Sequence, residues 1–455
     1  MGSKGLILGS VLIAALAFPV HSQAADPPTA GKITYNSHVA EIISTNCVVC
    51  HREGGIGPMQ LTSYEQVRPW APVVSHKVAQ REMPPYAYDE GIGIQHLLGD
   101  WRLKQEDIDT IVEWVEQGAP LGDPEIVPRA AEIRSLDEWN FAEQFGPPDL
   151  VVASSAIDIP ASGNDLWYRP YSFTGVTEDR CIRAMQVKPK GAAKSVVHHA
   201  NSTVQVQKED GTYEQFGSTG QRLTEYAMGK WGEVIPADVC RTLPANARVA
   251  WDIHMYPGGL GAMAPGRIIE DNVVELGVWF RDEGPGETKY EQDLKLYRMG
   301  PQTDLVIPPN GYQMTQGLHS FDHPVRLDSF QPHGHLRMRA ASLEIYYPAT
   351  GRTEPISQIS NWSATWHHSH VFDPSVAPLV PAGAVLVLKQ WYDNTADNPN
   401  NPDPDQWVMG GSRTADEMTH AWIAVTHLDE EGHQALLAER EARRNPEGTE
   451  MAQGN

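Results

Sequence analysis

Cysteine is scarce in this chain, with four in 455 residues, at positions 47, 50, 181 and 240. That excludes a small disulfide-held scaffold, which is cysteine-dense. Basic residues are also few: 35 Lys and Arg stand against 58 Asp and Glu, a formal net charge of −23. The acidic residues are spread along the chain and read as a solubilising surface charge. Without a basic patch, nucleic acid and an anionic membrane surface are excluded as partners. Long apolar runs are missing beyond the N-terminus, so no other segment could span a bilayer. No internal repeat stands out. The length calls for two to four domains.

The one apolar run, Gly5 to Val20, follows Lys4 and precedes the small residues Ser22 and Ala24. Residues 1–25 therefore read as a secretory signal peptide, cleaved after Ala24 or Ala25. No cysteine follows for lipid attachment. The expectation is a periplasmic protein with no membrane insertion after cleavage.

Cys47-Val48-Val49-Cys50-His51 is a C-x-x-C-H run. In an exported chain this is the attachment signal for one covalent c-type haem. The two thiols bind the haem vinyl groups and His51 becomes the proximal iron ligand. Residues Ser37 to Cys50 read as the helix that delivers the motif. In "LKQEDIDTIVEWVEQGAP", Ile108, Ile111, Val112 and Val115 recur at i, i+3, i+4 and i+7, a packed helix stopped by Gly118. Residues 32–122 are thus expected to form an all-α c-type cytochrome domain. Met83, in the rigid loop "REMPPYAYD", is the foremost candidate for the distal ligand; Met59 and His96 are its rivals.

Residues 123–148, rich in Pro, Asp and Glu, read as a linker with a short helical piece. From Asp149 the period becomes two. Val274, Leu276, Val278 and Phe280 share one strand face; Val249, Trp251, Ile253 and Met255 share another, with His254 on the opposite side. Roughly 280 residues of this pattern exceed one sandwich of about 100. Two tandem antiparallel β-sandwiches are expected, at 149–300 and 301–428, with the joint near residue 300. Residues 429–455 read as a short charged helix and a loose tail.

Several of the 18 histidines sit in suggestive places. His198 and His199 are adjacent in what reads as a strand, where neighbours point to opposite faces. His333 and His335 are at i and i+2 and can chelate one ion from a single face. Imidazole plus the thioether of Met418 suits copper. A lone strand histidine is commonly a hydrogen-bonded structural residue, and a strand methionine is commonly core. Here the elements occur together and in order: HH, a strand His, H-x-H, then Met.

That order resembles the copper type II, ascorbate-dependent monooxygenases, the family of peptidylglycine α-hydroxylating monooxygenase and dopamine β-monooxygenase. The resemblance covers roughly residues 149–428, and "YDNTADNPNNPDPDQW…TADEM" is similar to bacterial members. It implies two copper ions, one on His198, His199 and His254, and a catalytic one on His333, His335 and Met418. It further implies hydroxylation of an activated C–H of a small organic substrate by O2. The cytochrome lies outside the resemblance, and electrons are expected to pass one at a time through its haem from a periplasmic donor. Animal members are rich in disulfides, whereas here only Cys181 and Cys240 remain; each precedes a proposed ligand, and a brace in the first copper domain is the expectation. His367, His368 and His370, in "WHHSH", fall outside the family pattern; they could supply alternative ligands, and a place in the cleft or on the surface is the expectation. The opposing class is a non-catalytic electron carrier or copper-holding protein of the same build. A carbohydrate-binding sandwich beside a cytochrome would leave the ordered histidines unused.

Overall fold

The computed structural model describes residues 32–53, 57–128, 137–163, 166–216, 222–227, 230, 232–255, 257 and 268–444. The signal peptide at 1–25 and the tail beyond Arg444 lie outside them. Among the described residues no helix is long and apolar enough to cross a membrane.

The N-terminal unit is helical. A π-helical turn at Tyr35–Val39 runs into α1 (Ala40–Asn46), and α2 (Ala71–Ala79) and α3 (Gln105–Glu116) follow. Helix α1 ends four residues earlier than its pattern suggests, because Cys47 to Cys50 form a turn. Ile108 and Ile111 are buried as expected, but Trp114 takes the central place between them and Tyr35. Its indole N–H donates to the Pro120 carbonyl at 3.0 Å. Val39, Ile43, Val67, Val78 and Trp114 close this small core.

The loop after α2 leaves the helical unit. Tyr86 and Tyr88 join the core of the distant second sandwich, and β1 (Leu97–Leu98) pairs with one of its edge strands.

The rest is β-sheet. The first sandwich contains β2 (Arg180–Pro189), β3 (Val197–Gln207), β4 (Arg222–Ala227), β5 (Val239–Leu243), β6 (Arg248–Met255) and β7 (Val274–Phe280). The next strand, β8 (Tyr290–Arg298), precedes β9 (Val325–His333), β10 (Met338–Tyr347), β11 (His370–Phe372), β12 (Val385–Asp393) and β13 (His420–His427) of the second. Strands β3, β4 and β6 face β2, β5 and β7 across a core of Met185, Val187, Val204, Val249, Ile253 and Leu276. In the second sandwich β10 and β12 face β9 and β13 across Leu327, Phe330, Leu343, Leu388 and Ile423. Alternation of apolar and polar residues produces these two-layer cores.

One finding goes against the expected joint at residue 300. A single sheet runs through both sandwiches in the order β1-β11-β9-β13-β8-β5-β2-β7. Strand β8 pairs with β13 over its length and meets β5 in parallel at Val239 and Cys240. It belongs to the seam, and the first sandwich ends before it. The seam is fixed by buried polar groups. Arg241 binds Glu233 at 2.8 Å and Gln292 at 3.0 Å, Gln292 reaches Asp328, and Arg326 joins Asp328 at 2.6 Å to Asp238 at 3.1 Å. Such chains hold a unique geometry where apolar packing alone would slide.

The linker is also less free than its composition suggests. Trp139 and Phe141 pack edge-on against Trp279 of the first sandwich, before the short helix Ala142–Phe145. Residues 129–136 lie outside the described set. Glu430–Arg444 forms the expected C-terminal helix, α4, anchored where Arg440 donates to the Pro374 and Ala377 carbonyls.

Cys181 and Cys240 form the disulfide, with Cα atoms 5.0 Å apart, joining β2 to β5 across 59 residues of chain. Closing a loop of that length is worth about 4 kcal/mol by the chain-entropy relation. Replacing both cysteines by alanine is expected to lower the unfolding free energy by about 2–5 kcal/mol, measured by denaturant titration. A loss below about 1 kcal/mol would remove the bridge from the list of stabilising features.

Candidate metal centre

Strand β3 solves the geometric problem of adjacent histidines with a bulge. Opposite it on β6, His254 pairs with His199 but Met255 pairs with Val197, so His198 is the extra residue. A bulge turns its residue out of the strict alternation. The rings of His198 and His199 lie 5.4 Å apart, and those of His254 lie 5.2 and 5.1 Å from them. One ring nitrogen from each of the three comes within 4.8 Å of the others. Trp167 stacks on His254 at 4.2 Å, nearly parallel, and closes the site from outside.

The second set stands at the ends of β9 and β13. His333 is the last residue of β9 and pairs with His420, the first of β13. His335 lies just past the strand, its ring 5.5 Å from that of His333. The turn between them requires Gly334, because a Cβ there would come within 2.4 Å of the Met338 sulfur. Beyond the last pair, the main chains of His335 and Met418 come to one common acceptor. The Glu417 carboxylate ties the two together. Its Oε2 accepts from the His335 N–H at 2.7 Å and the Met418 N–H at 3.3 Å, and its Oε1 from the Arg337 N–H. Burial pushes the Glu417 carboxyl up to about 7, against the pull of those three amides. The His335 Nδ1 lies 3.0 Å from the Asp416 carbonyl, which makes Nδ1 the protonated nitrogen and leaves Nε2 as donor.

The two sets are contiguous. His199 and His333 are 6.2 Å apart, ring to ring, and His367 fills the space between, 5.4 Å from His198 and 4.9 Å from His333. His367 is therefore buried in the centre of the site; of the places expected for it, the surface one does not hold. His368 and His370 are buried too, but against the helical unit's loop: His368 meets Tyr86 and Trp101, and His370 meets Tyr86 and Tyr88. The loop thus buries His368 and His370, while Thr365 stays exposed.

Burial and mutual repulsion hold His199, His333, His367 and His420 well below the usual imidazole range. Neutral imidazole is the form that binds metal. The Nδ1 of His199, the Nδ1 of His420 and the Nε2 of His367 are buried with no hydrogen-bond partner. An unpartnered buried nitrogen costs about 1–3 kcal/mol, and a bound ion would repay it. The donor set of imidazoles and one thioether fits copper.

His370 makes a pH dependence testable. Burial, then the neighbouring His368, push it down to about 3. Folding keeps it neutral, so its effect on stability is constant above pH 6.5. Below that the unfolded chain takes up the proton and the folded one does not, and stability falls until about pH 3. Between pH 6.5 and 5 the loss from His370 alone is about 2 kcal/mol. His370→Gln is expected to flatten that slope in denaturant titrations; an unchanged slope would assign the acid lability to other groups.

In the helical unit, the His51 Nδ1 lies 3.1 Å from the Met59 carbonyl and donates to it, which leaves Nε2 with its lone pair free of a proton. A Cβ at Gly57 would come within 2.5 Å of that Nδ1, so glycine is needed behind the ring. Burial raises the Cys47 and Cys50 thiols to about 12 and about 11, and neither is bridged. A zinc site would need a fuller set of donors. Among the described residues three such donors come within reach of one another only at His198, His199 and His254.

The Met59 carbonyl sits behind the His51 ring, and its side chain packs against the helical core. The His96 carbonyl accepts from the Asp373 N–H on the second sandwich. Met83 is half-buried in the wall of a cavity of about 840 Å³, with Val78, Leu103 and Ile108 of the helical unit. The haem motif also neighbours the first sandwich: Tyr226 is held well above its usual value by burial and by Cys50. Tyr226 pairs with Ala200 on β3, one residue from His199.

Trp167, Glu417 and His420 were not among the residues singled out by sequence, and His367 was singled out only with the WHHSH cluster, outside the two donor sets. Glu417 and His420 flank Met418, and an M-x-H spacing on a strand shares one face; that signal was available. Trp167 and His367 come from segments with no periodic link to the ligands.

No protein-family model matches the chain, and no curated protein matches it. Solved structures that align with it include the major capsid protein P2 from bacteriophage PM2, at 10% identity over 62% of this chain and 98% of that one, TM-score 0.23. The infectious bursal disease virus VP2 subviral particle aligns at 8% identity over 67% and 76%, TM-score 0.17. Allantoicase aligns at 9% over 51% and 79%, TM-score 0.15. At these scores none bears on function.

Proposed function

We propose that this chain is an exported copper-dependent monooxygenase, similar to the ascorbate-dependent family, with a fused c-type cytochrome. The observation that carries the reading is the β3 bulge. It turns His198 and His199 towards His254, and the resulting trio lies beside His333, His335 and the Met418 segment. The Nδ1 atoms of His199 and His420, buried without a hydrogen-bond partner, add support.

Copper held there would supply O2 activation and one-electron chemistry for hydroxylating a C–H bond of a small organic substrate. The chain's own residues have separate tasks. His198, His199 and His254 form one donor set, and Trp167 excludes water from it. His333, His335 and Met418 form the other, and Glu417 fixes two of them through their backbone amides. Their neutral imidazoles hold no proton that copper would have to displace. Cys47, Cys50 and His51 would hold the haem, with Met83 the foremost candidate for its distal side. Tyr226, beside Cys50 and one strand from His199, supports a short route for single electrons from haem to the first copper.

Reducing the haem in copper-loaded protein, then adding O2 with candidate substrates, tests the scheme. The expected result is haem reoxidation coupled to hydroxylated product. Haem that stays reduced while copper is competent would sink the relay.

A further inference from the structure

The most distinctive unassigned group is His367. It belongs to no donor set the motifs define, yet it lies between both. Its Nε2 is buried with no hydrogen-bond partner. Its ring is 3% exposed as part of the whole residue, stacks on Trp362 at 5.7 Å, and has the Ala364 carbonyl as a hydrogen-bond acceptor. These contacts orient it and place the proton on the other nitrogen, the arrangement that prepares an imidazole to bind a metal.

Geometry supports the same role. With a metal–nitrogen bond of about 2.0 Å, each ligating ring has its centroid about 3.2 Å from the ion. Two rings on one ion are then about 4.5–6.4 Å apart, from right-angled to opposed. His367 lies within that window of His198 at 5.4 Å, His199 at 6.1 Å and His333 at 4.9 Å. His199 and His333, from different sets, satisfy it directly at 6.2 Å.

We propose that His367 is a copper ligand, and that through it the two donor sets form one compact dinuclear copper centre. The proposal rests on the copper reading above. A neutral imidazole has one lone pair, so His367 serves one ion at a time, and its nitrogen must swing towards that ion to join either set, since only His198, His199 and His254 are already drawn together. The segment that carries it is the one clamped by Tyr86, Tyr88 and Trp101 from the helical unit. The cytochrome's loop therefore holds the shared ligand in place.

The test uses full-length holoprotein titrated with Cu(II) and followed by copper content and electron paramagnetic resonance. Wild type is expected to bind two coppers whose spectra show dipolar broadening and a half-field transition. His367→Ala is expected to bind one of the two more than about 100-fold more weakly, beyond the scale of a residue that only orients a ligand, and to lose the half-field signal. Two sharp, isolated Cu(II) spectra in wild type would overturn the compact centre without needing a variant. Unchanged affinity and spectrum in His367→Ala would overturn its role as ligand. Failure of wild type to take up copper at all would instead refute the copper reading itself. Should His367→Ala misfold, the imidazole count around copper in wild type, read by X-ray absorption, replaces it; five or fewer imidazoles per ion pair in place of six overturns the inference.

Discussion

Met418→Ala is expected to abolish hydroxylation while the haem still reduces and copper still binds at His198, His199 and His254. The thioether is the soft donor of its set and favours the cuprous state that meets O2. Residues that only position a ligand cost about 10–100-fold in metal affinity when changed, so loss of the ligand itself should exceed that at the His333–His335 position. The trio lies on β3 and β6, in the other sandwich, and shares no backbone contact with Met418. Product formation, haem reduction and copper content measured on one sample separate the outcomes. Retention of product would show that Met418 is core and not a ligand. A chain that only carries electrons or holds copper would give no O2-coupled product with or without the methionine.

Glu417→Ala is expected to do more structural damage than any other single change near the site. It removes the acceptor for three buried amides, those of His335, Arg337 and Met418. Each orphaned amide costs about 1–3 kcal/mol, and removing one partner of a buried charged cluster costs about 3–5 kcal/mol. The Arg337 guanidinium nearby would also lose one of its three neighbouring carboxylates, keeping Asp403 and Asp416. The same change frees the His335–Met418 hinge, so copper at this position should weaken alongside stability. Denaturant titration with and without copper reads both. Glu417→Gln keeps the volume and one oxygen acceptor and should recover part of the loss. If alanine costs less than about 1 kcal/mol, the carboxylate is not what holds the two ligands together.

Sequence reasoning reached some parts of this architecture and missed others for identifiable reasons. Period-two alternation in Val274–Phe280 and Arg248–Met255 was enough to foresee the sandwich strands, because one buried face dictates it. The bulge at His198 was foreseeable as well, since two neighbouring ligands cannot otherwise share a side. The seam was not: whether β8 joins the first sheet, the second, or both depends on partners more than a hundred residues away in the chain. Tyr86, Tyr88 and Trp101 likewise looked like parts of a haem loop, and only the tertiary fold shows them packed on His368 and His370. His367 sits in an irregular segment, where no period indicates which way a side chain points.

Metal analysis of the mature protein, purified from the periplasm without added chelator, tests the central claim most directly. The account predicts one iron, retained covalently after denaturation, and two coppers per chain. Iron without copper would leave an electron-carrying haem protein and contradict the monooxygenase, and copper without covalent iron would remove the haem relay.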